Sequence, residues 1–168
     1  MIGAVVWFTG LPSSGKTTLA RAVEHRLALE RISRCVLDGD EMRPVLAPRL
    51  GYSDEERSDF YATLARLAGA LARQGLIVLV PATAHRREYR QYAREQAPHF
   101  LEVWLTTPLG ECQLRDSKGL YASAAMGPGH LPGIDIAYEE PERADVVAAG
   151  GEDALAIERI ISCLKSNR

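Results

Sequence analysis

The stretch GLPSSGKTT, Gly10 to Thr18, constrains this chain more than any other, because it fills every fixed place of the pattern G-x-x-x-x-G-K-[ST]. An apolar run, Ala4 to Phe8, leads into it, and a helix-like run starting at Lys16 leads out. That order of strand, loop and helix is the context in which the pattern has meaning. Gly10 and Gly15 let the backbone wrap a phosphate at close range, with Ser13 and Ser14 inside the turn. Successive N–H groups in such a nest, with a helix N-terminus behind them, point at the anion. Lys16 can then reach the β- and γ-phosphates of ATP. Thr17 puts a hydroxyl where a Mg²⁺ ligand is required, and Thr18 follows it into the helix. A Gly/Ser turn without a ligand accounts for the glycines alone.

Composition narrows the partners. At 168 residues, 46% of them hydrophobic, the chain fits a single α/β domain over 1–168 with a real core. A formal charge of −2 supplies no basic field, so no nucleic acid partner is expected. The start MIGAVVWFTG lacks a basic segment and runs straight into the phosphate loop, which makes it the first core strand rather than a signal peptide. No apolar run approaches the roughly 20 residues that a membrane helix needs, so no membrane partner is expected either. Cys35, Cys112 and Cys163 are odd in number and far apart, with no C-x-x-C pair, which fits free thiols in a reducing cytosol and a cytoplasmic location.

Periodicity orders the rest into alternating strands and helices. Leu19, Ala20, Val23, Leu27 and Ala28 lie at helical spacing on the first helix. A second short strand, Arg34 to Leu37, ends in Asp38, Gly39 and Asp40. In an open parallel sheet, ligands bind beyond the carboxyl ends of strands, so these two carboxylates are expected beside the phosphate loop. The plainer alternative is that Asp40 only caps a helix starting at Glu41. After Pro44 and Pro48, a Ser53 or Asp54 cap opens a long helix that ends at Gly75, with Leu64, Leu67, Ala68 and Leu71 as its core face. Leu76 to Val80 reads as a central strand closed by Pro81. Arg86 to Gln96 reads as a solvated, arginine-rich helix, of which Arg87 alone is near enough to the strand end to reach a phosphate. Phe100 to Leu105 is the fourth strand, Asp145 to Ala148 the last, and Asp153 to Leu164 the final helix. Between them, the Gly- and Pro-rich AAMGPGHLPGI reads as a lid over about 115–135 rather than core. The expected fold is α/β, a P-loop NTPase-type three-layer arrangement: a parallel β-sheet of about five strands, helices on both faces, and a lid.

Five stretches together resemble the adenylylsulfate kinase family: GLPSSGKTT, LDGDEMR at Leu37 to Arg43, GYSDEER at Gly51 to Arg57, RDSKGLY at Arg115 to Tyr121, and GIDIAYEEP at Gly133 to Pro141. They stand in the family's order and span most of the chain. The resemblance implies ATP-dependent phosphorylation of the ribose 3′-hydroxyl of adenosine 5′-phosphosulfate (APS, adenylyl sulfate), Mg²⁺ as cofactor, and a homodimer. It matches Asp38 and Asp40 to the family's acidic pair, and Arg43 and Arg57 to arginines that hold the phosphosulfate. Tyr52 stands where an aromatic ring stacks on the substrate adenine. Arg115 would lie against the ATP base, and Lys118 near the phosphates. Of the two carboxylates, Asp40 is assigned as base and Asp38 as the Mg²⁺ partner with Thr17, although the two roles could be exchanged.

The departures from the family pattern gather on the acceptor side. Glu41 and Phe60 each replace an Asn, and Ala82, Thr83, Ala84 and His85 stand where the family reads Phe, Ile, Ser, Pro. Leu131 replaces a Phe expected to sandwich the adenine with Tyr52, a change of about 1 kcal/mol if Leu packs in its place. His85 and His130 read as satisfied surface histidines. Two further functions therefore stay open: a related kinase for another nucleotide-activated small molecule, such as a cytidine diphosphate derivative, and a nucleotide-binding subunit without turnover. The retention of Lys16, Thr17, Asp38 and Asp40 argues against the second.

Overall fold

The computed structural model describes residues 3–49, 51–125 and 130–166. Within them, β1 (Ala4–Thr9), β2 (Arg34–Val36), β3 (Ile77–Pro81), β4 (Phe100–Leu105) and β5 (Val146–Ala148) form one parallel sheet in the order β2-β3-β1-β4-β5. The helices are α1 (Lys16–Leu29), α2 (Gly39–Leu46), α3 (Asp54–Arg73), α4 (Arg87–Gln96), α5 (Leu109–Arg115), α6 (Leu120–Ala125) and α7 (Ala154–Ser166). Strand β1 is central because it can be: every residue of AVVWFT is buried, as a strand covered on both faces requires. Its side chains alternate, with Ala4, Val6 and Phe8 in one core layer and Val5 and Trp7 in the other. The first layer takes Leu19, Val23 and Leu27 of α1 and Ile160, Ile161 and Leu164 of α7. The second takes Phe60, Leu64, Ala68 and Ala72 of α3 with Tyr89 and Ala93 of α4. Trp7 keeps its buried indole N–H satisfied by donating to the Ala82 carbonyl at 3.1 Å.

Local chemistry sets the helix ends. Ser53 caps α3 in a reciprocal box with Glu56: the Ser53 hydroxyl accepts from the Glu56 N–H, and the Glu56 carboxylate accepts from the Ser53 N–H at 3.0 Å. Gly69 lets α3 lie against α4, since a Cβ there would meet the Gln96 carbonyl at 2.4 Å. Helix α2 survives Pro44, which removes the donor for the Asp40 carbonyl, because the helix is short and capped by Asp38. Among the described residues no helix is long and apolar enough to cross a membrane.

Two expectations need correction. Helix α4 is not simply a solvated face: Tyr89 and Arg90 are buried, Arg90 to 2% exposure. The Arg90 guanidinium donates to Glu102 at 2.7 Å, to the Ala84 carbonyl at 2.5 Å and to the Glu139 carbonyl at 2.6 Å. It therefore ties β4, the tip of β3 and the segment before β5 together. The segment expected as a non-core lid is also partly buried. Leu131 packs with Cys112 and Tyr121 in a small third cluster, and the Leu131 carbonyl accepts from Asp135 at 3.0 Å to close a tight turn. Residues 126–129 of that expected lid lie outside the described residues.

Burial predicts unequal costs for two ion pairs. Glu102→Ala leaves the enclosed Arg90 charge unpaired and should lower the unfolding free energy by about 3 kcal/mol in urea denaturation. Glu142→Ala breaks an exposed pair with Arg87 and should cost less than about 1 kcal/mol. Equal losses would sink the assignment of Arg90 as a buried anchor.

Candidate functional site

The loop between β1 and α1 is built by two backbone reversals. Ser13 at φ 60° and Gly15 at φ 100° both lie in the left-handed region, which turns consecutive N–H groups toward one concavity. Gly15 is also the residue ahead of α1, so the unpaired N–H groups of the first helical turn open there. No side chain would fit at Gly15, because its Cβ would stand 2.6 Å from the Gly151 nitrogen. Below the loop, the buried Thr107 hydroxyl donates to the Ser14 carbonyl at 2.8 Å. Lys16 Nζ lies along the loop and donates to the carbonyls of Gly10 at 3.0 Å and Leu11 at 2.7 Å. Burial lowers its pKa to about 8, with the charges of Asp40 and Asp38 among the influences pulling the other way.

Asp38 stands where β2 hands over to α2, buried at 4% exposure. Its Oδ2 accepts from Thr17 Oγ1 at 2.6 Å, and its Oδ1 accepts from the Asp40 N–H at 3.0 Å. The helix-cap alternative for Asp40 is thus corrected: Asp38 is the cap of α2, which leaves the Asp40 side chain free of that duty. Asp40 is exposed and forms an ion pair with Lys118. Burial works against the Lys118 charge, yet the hydrogen bond and charge of Asp40 outweigh it and hold the ammonium above the ordinary lysine value.

Both groups face one cavity of about 1240 Å³, larger than the range of about 300–1,000 Å³ usual for a single small ligand. Ser13, Gly15, Lys16, Thr17, Thr18 and Arg115 line its phosphate-loop end, and Arg43, Tyr52, Arg57, Phe60 and Leu131 the other, with Asp38, Asp40 and Lys118 also on the wall. Gly10 and Ser14 lie behind the lining, Ser14 fully buried. At the far end the Arg43 guanidinium lies 4.2 Å from the Tyr52 ring centroid and 4.9 Å from that of Phe60. Arg57 is 6% exposed, donates from Nε to the Tyr52 carbonyl at 2.9 Å, and also donates to the His130 carbonyl. Neither arginine forms an ion pair among the described residues. The arrangement can hold anionic groups at the phosphate loop and at the arginines, and it presents the Asp40 carboxylate to the same cavity.

Four residues of the site had no role assigned from the sequence. Thr107 braces the loop, and Gly151 presses against Gly15; the only hint of the latter was a Gly-Gly pair following the last strand. Tyr61 lines the cavity, its hydroxyl accepting from the Ala84 N–H at 3.1 Å. Tyr138 shares a 2.9 Å hydrogen bond with Thr9, whose hydroxyl also lies 2.6 Å from the Thr83 carbonyl, so the residue just before the loop is held from both sides.

Two other expectations fail. Arg87 reaches no phosphate position; it donates to the Glu140 carbonyl and pairs with Glu142 away from the cavity. His85 is not a surface histidine but 1% exposed, with neither ring nitrogen partnered among the described residues. Desolvation first, then the charges of Arg57 and Arg86, lower its pKa to about 4, so the ring is neutral at physiological pH. His130 is exposed, as expected. Among the described residues no group of three or more His, Cys, Asp or Glu could hold a metal; the Thr17 hydroxyl and Asp38 Oδ2 lie 2.6 Å apart at the phosphate end.

Comparison with known proteins agrees with this geometry. The family model described as adenylylsulphate kinase matches residues 2–149. An adenylyl-sulfate kinase of Pseudomonas aeruginosa is 41% identical over 170 residues, covering 98% of this chain and 87% of its own. One of a Synechococcus species is 40% identical over 168 residues, covering 98% and 96%. The structure of the Mycobacterium tuberculosis APS kinase CysC, solved in complex with AMPPNP and APS, is similar with a TM-score of 0.89 at 38% identity, over 97% of this chain and 98% of that one. Matches of this length and identity have one reading: the chain belongs to the adenylylsulfate kinase family.

Proposed function

We propose that this chain transfers the γ-phosphate of ATP to the ribose 3′-hydroxyl of APS, giving 3′-phosphoadenylyl sulfate and ADP. The observation that carries the reading is that one cavity is lined by the phosphate loop, by Asp40 and by two arginines, Arg43 and Arg57, that form no ion pair among the described residues. Phosphoryl transfer of this kind asks little covalent chemistry of the protein and much positioning and charge neutralisation. Lys16 and the loop N–H groups would hold the β- and γ-phosphates, and Arg115, beside Gly15, the base end of ATP. Arg43 and Arg57 would bind the phosphosulfate of APS, with Tyr52 and Leu131 against its adenine. Asp40 would take the proton of the 3′-hydroxyl as the new O–P bond forms and the β–γ bridge breaks toward ADP. Lys118, paired with that carboxylate, supplies positive charge toward the transferring group.

Mg²⁺ fits the donors present. A hydroxyl and a carboxylate oxygen 2.6 Å apart at the foot of the phosphate loop are hard ligands of the kind that ion selects, with nucleotide oxygens and water completing its sphere. Bound there, it would neutralise charge on the β- and γ-phosphates. The hydrogen bond to Thr17 supports Asp38 rather than Asp40 as its partner. A second acceptor remains a specific alternative because Tyr52 already faces Arg43, and Leu131 packs on Cys112 and Tyr121, so no second aromatic ring stands opposite it.

The test is ADP release from Mg·ATP on addition of APS, with Lys16→Ala as blank. APS-dependent release that falls at least about 100-fold in Lys16→Ala supports the reading. ATP binding without any response to APS moves the acceptor to another nucleotide-activated molecule. The carboxylates separate in the same assay. Asp40→Asn should lower turnover by about 10²-fold or more with ATP affinity kept, whereas Asp38→Asn should lose Mg·ATP affinity together with turnover. The reverse pattern would exchange the two roles.

Lys16 gives a pH-dependent signature. A lysine of pKa about 8 is about half protonated at pH 8, and phosphate contact favours its charged form, so nucleotide binding at that pH should take up about half a proton. Calorimetry in buffers of different ionisation enthalpy measures this uptake, and Lys16→Met should abolish it. The same shift costs stability in the unliganded protein at neutral pH. The unfolded chain holds more protons between pH 8 and the ordinary lysine value of 10.5, so the lysine's contribution to stability rises with pH across that window.

A further inference from the structure

We propose that Phe60 is a positioning residue for the acceptor: its ring and that of Tyr52 clamp the Arg43 guanidinium so that the arginine meets the acceptor's anionic group in one fixed orientation. The inference rests on the acceptor-binding role of Arg43 proposed above and adds the group that aims it. Arg43 comes from the last turn of the short helix α2, where no neighbouring carboxylate pairs with it among the described residues. Three contacts replace that pairing. The guanidinium lies over Phe60 at 4.9 Å and Tyr52 at 4.2 Å, both within the roughly 6 Å at which a ring face attracts a cation, and it donates to the Gly51 carbonyl.

Phe60 is suited to this because it cannot turn. It is 2% exposed, and its ring leans on Tyr61 at 5.3 Å. Tyr61 in turn stacks on Tyr89 at 4.9 Å and accepts from the Ala84 N–H at the tip of the sheet. A chain of aromatic contacts therefore carries the rigidity of β3 and α3 out to a guanidinium on a short, proline-containing helix. Tyr52 is the exposed side of the clamp, at 58% exposure, and Arg57 lies near the same ring, 5.3 Å from its centroid. Two cations thus share one ring, and neither forms an ion pair among the described residues. Arg43 Nε is shut off from solvent and has no hydrogen-bond partner among the described residues. Arg43 nonetheless lines the cavity, so an anionic oxygen arriving there meets a guanidinium that forms no ion pair among the described residues. A clamp that fixes the donor's direction rewards an acceptor whose anion arrives at that point, which makes Phe60 a determinant of acceptor affinity and not of ATP binding.

Phe60→Leu and Phe60→Met both keep an apolar filling and remove the ring face; Phe60→Tyr keeps the face. With APS as acceptor, the first two should raise its KM about tenfold while KM for ATP and kcat stay within about threefold, and Phe60→Tyr should stay near wild type. A fall in thermal stability with the KM for APS unchanged would mean that Phe60 only fills the core and would overturn the proposal. A readout independent of turnover is the Arg43 Nε–H signal in ¹⁵N NMR, assigned by its loss in Arg43→Lys. It should be sharp in the wild type and broadened in Phe60→Leu or Phe60→Met as the guanidinium becomes free to rotate. If wild-type protein does not turn over APS, the acceptor reading fails, yet this signal still decides the role of Phe60: unchanged sharpness in both variants refutes the clamp.

Discussion

One carboxylate joins the two halves of the site. Asp38 accepts the Thr17 hydroxyl with one oxygen and starts α2 with the other. The first contact fixes the distance between the phosphate loop and the end of β2. The second sets where α2 begins, and α2 carries Asp40 and Arg43. Asp40 is therefore placed relative to Lys16 through two hydrogen bonds and no flexible linker. Removing Asp38 would disturb the contact with Thr17 and the start of α2 together, because the same group specifies both. It is buried at 4% exposure, and both of its oxygens accept hydrogen bonds there.

The sheet supplies the rigidity that this joint needs. Strand β1 is paired on both sides and covered on both faces, so its tip can move only with the whole core. Thr9 at that tip is braced by Tyr138 and the Thr83 carbonyl, and the loop beyond is held by Thr107 and closed against Gly151. Arg90 and Glu102 perform the matching task beneath the segment that carries Tyr138. A buried ion pair is a poor source of net stability, since both ions lose their water. Here it also donates to two backbone carbonyls from separate segments, Ala84 and Glu139, which suits it to fixing their relative position.

What could be read from the sequence follows from what a linear pattern can encode. The strands, the long capped helix and the phosphate loop were legible because each depends on local spacing: apolar runs for β1 and β3, the Ser53–Glu56 box for α3, two glycines and a lysine for the loop. The acidic pair was legible too, since it directly follows a strand in an open parallel sheet. Arg90 was misread because helical periodicity counts an arginine as polar, while its burial depends on Glu102 and on carbonyls 6 and 49 residues away. His85 was misread for a similar reason: its burial after the strand depends on Tyr89, whose ring lies edge-on to it at 5.5 Å, and no spacing rule contains that. Thr107 was missed because a single hydroxyl has no signature until the chain brings it to its acceptor, and Tyr138 stood in the GIDIAYEEP stretch without its contact to Thr9 being legible there.

The two ends of the cavity solve one problem, fixing a cation for an anion, by different means. At the phosphate loop the backbone does the fixing: Ser13 and Gly15 take left-handed conformations, the N–H groups converge, and Lys16 lies along carbonyls of the same loop. Little there can change without losing the nest, since a Cβ at Gly15 would collide with Gly151. At the other end side chains do it, with Arg43 held by aromatic faces and Arg57 by backbone carbonyls. Ring faces tolerate replacement by other rings and shift the guanidinium by small amounts when they change, whereas a backbone nest either forms or does not. A kinase built this way keeps its phosphoryl donor through sequence drift and adjusts its acceptor through single side chains such as Phe60 and Leu131. That asymmetry gives a physical reason why departures from the family pattern accumulate around the arginines while the phosphate loop is intact.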